Sequence, residues 1–132
     1  MGADTLFRGD SHQKRQAFIV GHANAFALRL NRKALSILDA GCGLGETSFR
    51  LAEQGHQVTG LDQDVNSITS AEMQRKVRQL QNCRFLVGDL EKASALDRFD
   101  IVVAGEILEH LPKPDEAVRQ FAALLNARGM LI

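Results

Sequence analysis

The 132-residue sequence contains no tryptophan, no tyrosine and only two cysteines. Without tyrosine and tryptophan, the chain lacks the side chains that most readily stack on a nucleobase or on another flat ring. Cys42 and Cys83 lie in different predicted elements, with neither a Cys-x-x-Cys spacing nor a histidine-rich companion. The sequence therefore predicts neither a disulfide framework nor a metal site.

The chain also lacks net charge and long apolar runs. Sixteen basic and sixteen acidic residues cancel, which argues against a general binder of nucleic acid or of membrane surfaces. We see no signal peptide and no apolar run of membrane-spanning length, so we expect a cytoplasmic protein. Positions 1–38 hold six basic and two acidic residues, which we interpret as a solvated helix face. The length and the 45% hydrophobic content suit one domain with a single core.

The most informative stretch, residues 37–48, has a short apolar run, then Asp39, then three glycines at alternate positions, and then a helix-compatible segment. The glycines are Gly41, Gly43 and Gly45. Glycine lets the backbone bend sharply and lets a ligand approach the main chain without meeting a Cβ. The first turn of the following helix offers unpaired N–H groups. The stretch therefore predicts a strand, a ligand-binding turn and a helix.

The spacing of these glycines distinguishes between ligands. Dinucleotide-binding turns follow G-x-G-x-x-G, but Glu46 occupies the position of the third glycine. A carboxylate is unfavourable beside a diphosphate, so a phosphate-free ligand with a ribose and a positive centre fits better. Asp62, 21 residues after Gly41, is predicted at the tip of the second strand, where a carboxylate can accept both hydrogen bonds of a ribose diol. Because Asp62 would also permit a nicotinamide dinucleotide, an oxidoreductase stays an alternative.

Here the sequence resembles a family, the class I S-adenosylmethionine-dependent methyltransferases. The resemblance rests on four ordered segments and a closing one, which are Asp-Ala-Gly-Cys-Gly-Leu-Gly (39–45), Val-Thr-Gly-Leu-Asp (58–62), Phe-Leu-Val-Gly-Asp (85–89), the stretch 99–111 and the stretch 121–132. It implies a three-layer α/β/α sandwich with a Rossmann-like parallel sheet in the order 3-2-1-4-5. It also implies methyl transfer from S-adenosylmethionine, with S-adenosylhomocysteine as the product.

The resemblance assigns roles to single residues. The turn that would hold the methionine portion comprises Gly41, Cys42, Gly43 and Gly45. Asp39 would fix that turn, and Glu106 would line the methionine end beside the positive sulfonium. For Cys42, we expect a small side chain tolerated in the turn rather than a catalytic thiol.

The adenosine end is assigned to the tips of the second and third strands. Asp62 would bind the ribose, Asp89 would accept from the adenine amino group, and the Leu90 backbone N–H would reach the ring. Gln63 stands where many relatives carry an apolar residue that packs on adenine. For Asp89, a plain turn residue stays the competing interpretation.

Methyl transfer needs alignment rather than a nucleophilic side chain, because the sulfonium already activates the methyl group. His110 is a weak candidate for a general base. The lack of basic clusters favours a small-molecule acceptor over nucleic acid. By resemblance, an N-terminal helix lies over the cofactor site, so Arg8, Lys14 or Arg15 could meet the methionine carboxylate, although a solvated surface charge is the simpler role for each.

We predict an N-terminal segment over 1–34 and a cofactor-binding core over 35–132 that is incomplete at its C-terminal end. The first ten residues are predicted to be irregular, followed by a helix to about Leu30. The side chains that we expect near one side of this helix are Phe18, His22, Ala25, Phe26 and Arg29. In the helix predicted over 65–80, Met73, Val77 and Leu80 recur at i, i+4 and i+7 and so form its predicted apolar face.

We expect strand five to begin at Met130, after a turn over 126–129. Since the family continues beyond strand five, the sequence predicts an exposed sheet edge that a second copy or another partner covers. A non-catalytic cofactor-binding or scaffold module is therefore the main alternative function.

Overall fold

The computed structural model describes residues 3–96, 98–108 and 110–132, and the side chains of residues 11–90, 92–96, 98–104, 107–108 and 110–132. The helices are α1 (Ala3–Arg29), α2 (Glu46–Glu53), α3 (Val65–Arg78), α4 (Leu90–Ser94), α5 (Gly105–Leu108) and α6 (Pro114–Ala123). The strands are β1 (Ser36–Ala40), β2 (Gln57–Asp62), β3 (Cys83–Val87), β4 (Phe99–Val103) and β5 (Leu125–Leu131).

The five strands form one parallel sheet in the order β3-β2-β1-β4-β5. The sequence-based prediction of strand order and fold class is confirmed. β1 is central and pairs with β2 on one side and β4 on the other, so the order of strands reverses beside it. Ligands of open parallel sheets bind at the carboxyl edge beside such a reversal. This topology places the glycine turn, which follows β1, at the expected ligand-binding position.

Apolar side chains cover both faces of the sheet, as is usual for parallel strands. In one cluster, Ile37 and Ile101 pack with Phe49 of α2 and with residues of α1 and α3. In the other, Leu38 and Phe121 pack with residues of α4 and with partly buried residues of α5. Consecutive residues of β1 therefore face opposite layers, and the molecule has three layers.

Local sequence signals account for the helix ends near the site. The left-handed Gly45 is the N-cap of α2. The Asp64 side chain caps α3 by accepting a hydrogen bond from the Asn66 N–H at 3.1 Å. Pro114 is the first residue of α6, where its missing N–H removes no helical hydrogen bond.

The orientation of α1 differs from the prediction. The helix begins at Ala3, so the irregular start predicted for the first ten residues is wrong. Its buried face comprises Gln16, Ile19, Ala23, Phe26 and Ala27, so Phe26 alone of the predicted side faces inward. Phe18, His22, Ala25 and Arg29 are exposed instead. Because residues 17–30 are apolar around most of the helix, periodicity alone does not select the face that docks.

The orientation of α3 is also corrected. Met73 and Val77 are exposed, whereas Ile68 and Ala71 are buried. The small Ala71 side chain allows α3 to approach the glycine turn, because a Cβ added at Gly45 would lie 3.3 Å from the Ala71 Cβ. The face of α3 that packs closely against the protein is therefore the one with the small Ala71, and not the one with the large Met73 and Val77.

β5 begins at Leu125, five residues earlier than predicted. Its pairing with β4 shifts between Phe99↔Leu125 and Ile101↔Met130, so the predicted turn over 126–129 is accommodated as an irregularity within the strand. Arg128 takes a left-handed backbone conformation there, with φ of 67°. No described helix is long and apolar enough to cross a membrane.

Candidate functional site

The glycine turn is tied to the tip of β2 by backbone hydrogen bonds. The N–H groups of Gly41 and Cys42 both donate to the Leu61 carbonyl oxygen, at 2.8 and 3.0 Å. The Gly43 N–H donates to Asp62 Oδ2 at 2.8 Å, and the Asp64 N–H donates to Asp62 Oδ1 at 2.9 Å. The Asp62 carboxylate is therefore held between the turn and the start of α3.

Gly43 and Gly45 are required for different reasons. A Cβ added at Gly45 would lie 2.7 Å from the Phe85 ring, so this glycine is needed for packing inside the protein. A Cβ added at Gly43 would meet nothing within 4 Å, although the backbone there has a left-handed φ of 54°. The space beside Gly43 is therefore open to a ligand.

Asp39 and Cys42 lie under the turn. Asp39 is buried and accepts a 2.6 Å hydrogen bond from the Ser48 hydroxyl of α2, which ties the end of β1 to the following helix. Burial raises the pKa of the Cys42 thiol above its ordinary value, and the nearby carboxylates of Asp39 and Asp62 raise it further. The thiol therefore stays protonated at neutral pH, which favours its interpretation as a small packing residue over a nucleophile.

Two cavities open on either side of the turn and share Ala40 and Gly41. The β2 cavity, about 650 Å³, is lined by Asp62, Gln63, Asp89, Leu90, Ile107 and His110 among others. The α1 cavity, about 520 Å³, is lined by residues that include His12, Arg15, Asp39, Gly43, Glu46 and Val103. The arrangement accommodates a ligand with two parts joined at the turn.

The predicted cofactor residues divide between these cavities. Those in the β2 cavity are Asp62, Gln63, Asp89 and Leu90, and those in the α1 cavity are Asp39, Cys42 and Gly43, with Gly41 lining both. Gly45 is buried beneath the turn. The side chain of Glu106 lies outside the described residues. His110 is exposed and lines the β2 cavity together with Asp89.

Comparison with known proteins decides the family. The sequence profile of the family described as "Methyltransferase domain" matches residues 31–132. The chain belongs to this methyltransferase domain family. A ubiquinone biosynthesis O-methyltransferase of Coxiella burnetii is 36% identical over 104 residues, which are 78% of this chain and 44% of that protein. The chain thus spans less than half the length of this curated relative.

Two further similarities are to proteins whose names give different acceptors. An uncharacterized RNA methyltransferase of Protochlamydia amoebophila is 39% identical over 85 residues, covering 58% of the domain and 20% of the relative. The crystal structure of magnesium protoporphyrin IX methyltransferase from Synechocystis PCC 6803, which has bound SAM, superposes with a TM-score of 0.73 at 27% identity. That match covers 87% of the domain and 55% of the solved chain.

Asp89 has two contacts in the methyltransferase domain that bear on its predicted role. Its side chain accepts a long hydrogen bond from the Lys92 N–H at 3.4 Å, and its carbonyl oxygen accepts from the Ala93 N–H at 3.2 Å. The residue therefore caps the start of α4, which it immediately precedes, and also lines the β2 cavity. The turn interpretation and the ligand interpretation are compatible with each other.

His12 lines the α1 cavity, and the sequence analysis did not identify it as a candidate. His12 Nε2 lies 3.9 Å from Glu46 Oε2, and Gln16 Nε2 donates to the same oxygen at 3.3 Å. Arg50 Nη1 donates to Gln16 Oε1 at 3.2 Å. These contacts attach α1 to the first two turns of α2. His12 could have been found from its spacing to Arg15 and Ile19, since residues at i, i+3 and i+7 share one side of a helix.

Proposed function

We propose that this domain binds S-adenosylmethionine across both cavities and transfers its methyl group to a small-molecule acceptor. The observation that carries the proposal is the hydrogen bond from the Gly43 N–H to Asp62 Oδ2. It fixes an acidic side chain at the junction of the two cavities, where the ribose of such a ligand would join its adenine to its amino-acid part. A carboxylate held from behind by two N–H groups is oriented to accept hydrogen bonds from a diol.

The β2 cavity fits the adenosine part. Asp89 and Gln63 offer polar groups to the base, and Leu61 and Leu90 supply an apolar wall. Gln63 makes the β2 cavity more polar than it would be with an apolar residue at this position. The aliphatic part of the Gln63 side chain can still pack on the adenine ring.

The α1 cavity fits the methionine part and the acceptor. Asp39 and Glu46 place carboxylates near a ligand that carries a positive ammonium and a positive sulfonium. Arg15, in the same cavity, is suited to the methionine carboxylate because a guanidinium binds carboxylates with two parallel hydrogen bonds. Ile19 and Val103 leave the remaining wall apolar, which suits an organic acceptor.

When bound, S-adenosylmethionine supplies a methyl group that is already activated as an electrophile. The described residues act by binding, orienting and excluding water, which can contribute several kcal/mol of the roughly 7–11 kcal/mol available from proximity. His110 stays a prediction as a general base. Its place in the β2 cavity favours a contact at the adenosine end instead.

The choice of a small-molecule acceptor is supported by the ubiquinone biosynthesis O-methyltransferase relatives, which match more of this chain than the RNA methyltransferase does. The same names favour a hydroxyl oxygen as the methylated atom.

We also propose residues 35–132 as the cofactor-binding core and 1–34 as the segment that closes the α1 cavity. The two free cysteines, Cys42 and Cys83, support the cytoplasmic prediction, since reducing compartments keep thiols unpaired. The predicted homodimer stays a prediction.

The test is a calorimetric titration of the 132-residue chain with S-adenosylmethionine, S-adenosylhomocysteine and a nicotinamide dinucleotide, after circular dichroism has established that the chain is folded. We expect micromolar binding of the first two ligands and none of the third. Binding of the dinucleotide alone would replace the proposal with an oxidoreductase. A folded chain that binds none of the three would contradict the proposed cofactor site.

A further inference from the structure

The side of α1 that faces away from the protein is largely apolar. It lies opposite the buried residues Ile19 and Ala23 and comprises Lys14, Ala17, Phe18, Gly21, Ala25, Leu28 and Arg29, which we call the outer face of α1. Phe18 is 58% exposed and Leu28 is 80% exposed. Apolar residues of this size in one stripe of a helix mark a surface that interacts with something other than water.

The charge around this face is mainly positive. Between residues 11 and 33 there are five Lys or Arg residues and no Asp or Glu, whereas the rest of the chain has eleven basic and sixteen acidic residues. One of the five, Arg32, is paired with Asp100 at 3.0 Å, and the others include Arg29 and Lys33, both exposed. The zero net charge, which argued against membrane surfaces, therefore conceals a basic stretch over 11–33, which follows Asp4 and Asp10 of α1, on an otherwise acidic molecule.

The outer face also borders the entrance of the α1 cavity. Phe18 lines that cavity, and so does Leu44, which is 57% exposed on the opposite rim. One end of the outer face, at Phe18, therefore lies at the mouth of the cavity.

We propose that the outer face of α1 docks on an anionic lipid surface, with the helix lying along the bilayer and the α1 cavity opening toward it. Helices that lie in the membrane interface combine exposed Phe and Leu with Lys and Arg, and they are attracted to anionic lipids. A protein partner would match the apolar stripe equally well. Positions 1–38 hold six basic residues against two acidic ones, whereas the rest of the chain holds ten basic and fourteen acidic residues. This excess of positive charge favours a surface of uniform negative charge.

The docking itself is independent of the proposed methyl transfer. Its consequence, that the acceptor is an amphiphile entering from the bilayer, rests on the proposed function. The lipid-binding assay below contains no cofactor, so a failure of either proposal is distinguishable from a failure of the other.

The test is co-sedimentation of the chain with vesicles of phosphatidylcholine alone or of phosphatidylcholine mixed with phosphatidylglycerol. We expect binding to the mixed vesicles that weakens with salt, and little binding to the neutral ones. Leu28→Gln should lower the partition coefficient about tenfold, because it removes a large apolar side chain from the contact. Arg29→Gln and Lys33→Gln should each lower it about fivefold.

Val77→Gln on α3 is the matched control, because Val77 is 76% exposed and lies on a helix whose surface carries both signs of charge. It should bind vesicles as the unchanged chain does. Absence of vesicle binding, or equal losses for Leu28→Gln and Val77→Gln, would overturn the proposal. A dimer that light scattering detects and Leu28→Gln dissolves, without any lipid binding, would assign the face to a second copy instead.

Discussion

The two cavities of this domain are built in different ways. The predicted ligand residues of the β2 cavity lie at strand ends, since Asp62 is the last residue of β2 and Asp89 follows β3 by two residues. The α1 cavity combines His12 of α1, Glu46 of α2 and Val103 of β4, which are distant in sequence and come from one helical layer and the sheet. Parallel strands bring their carboxyl ends to one edge, so a motif at a strand end is positioned by the sheet. The position of a residue on a helix depends on how that helix docks.

The forces that hold the two cavities differ accordingly. Backbone hydrogen bonds fix the β2 side, such as those from Gly41 to Leu61 and from Gly88 to the Asp62 carbonyl oxygen at 2.9 Å. Side-chain contacts fix α1. His56, buried in the core, makes a 2.9 Å hydrogen bond from Nε2 to Asn24 Oδ1 of α1 and accepts the Leu35 N–H at Nδ1. We therefore expect the α1 cavity to be the more easily perturbed of the two.

The largest effect is expected from Gly43→Val, at the junction of the cavities. A branched side chain would fill the open space beside the turn and would strain a backbone with φ of 54°. We expect S-adenosylmethionine affinity to fall at least about a hundredfold, or ~3 kcal/mol. Calorimetry measures the affinity, and circular dichroism checks the fold. Retained affinity would show that the ligand does not cross the turn.

Gly45→Ala should affect stability instead, although it lies only two residues further on. Its Cβ would lie 2.7 Å from the Phe85 ring at a φ of 88°, so either the ring or the turn must shift. We expect the free energy of unfolding in urea to fall by about 2 kcal/mol. An unchanged urea midpoint would mean that Phe85 moves freely and that the packing role assigned to Gly45 is wrong.

Asp62→Ala should weaken S-adenosylmethionine binding about tenfold or more, because a charge-assisted hydrogen bond typically contributes about 1.5–3 kcal/mol. The variant also frees the Gly43 N–H, so part of the loss reflects a looser turn. Asp64→Ala is the control. It removes the cap of α3, which should lower stability by about 1 kcal/mol and leave affinity unchanged. An equal loss of affinity in both variants would remove Asp62 from the ligand site.

The smallest effect concerns the attachment of α1. Burial lowers the pKa of His56 below 6.5, so the unfolded chain takes up this proton at a higher pH than the folded chain. The stability that neutral His56 contributes is therefore fully present above about pH 6.5 and is lost as the pH falls toward the folded pKa, by at most about 1.4 kcal/mol per pH unit. Urea titrations of the unchanged chain and of His56→Gln at a series of pH values measure this. The variant should show the shallower dependence between pH 6.5 and 5, and equal slopes would exclude His56 as the cause.

Acid stability at lower pH should instead depend on Asp100. Burial alone would raise its pKa, but hydrogen bonds from the Ser36 N–H, Asn126 and Arg32 outweigh it and hold the pKa below its ordinary value. This carboxylate therefore contributes stability above about pH 4 that is lost as the pH falls through its folded pKa. Asp100 joins the starts of β1 and β4, so the effect concerns the sheet rather than either cavity.

The sheet and its ligand edge were predictable because their signals are local. Apolar strands, the three glycines and the acids at the ends of β2 and β3 each specify a position relative to a strand, and the parallel sheet assembles those positions. The corrections to the buried faces of α1 and α3 share one cause, which is that hydrophobic composition alone does not select the face that packs against the protein. For α1, the stripe with Phe18 and Arg29 and the buried stripe with Ile19 and Ala23 are both plausible inner faces by composition alone. For α3, the large side chains Met73 and Val77 outweigh the small Ala71 in any hydrophobic pattern.

The sequence by itself therefore determined the turn and the acid at the tip of β2, since each follows from residues close in the chain, and its resemblance to a family implied the strand order. Only the tertiary structure decided which face of α1 packs against the rest of the protein. That packing places His12 in the lining of the α1 cavity and Phe18 at its rim. The physical reason is that helix docking depends on the fit between whole surfaces. Here that fit includes the hydrogen bond from a buried histidine of the core to Asn24.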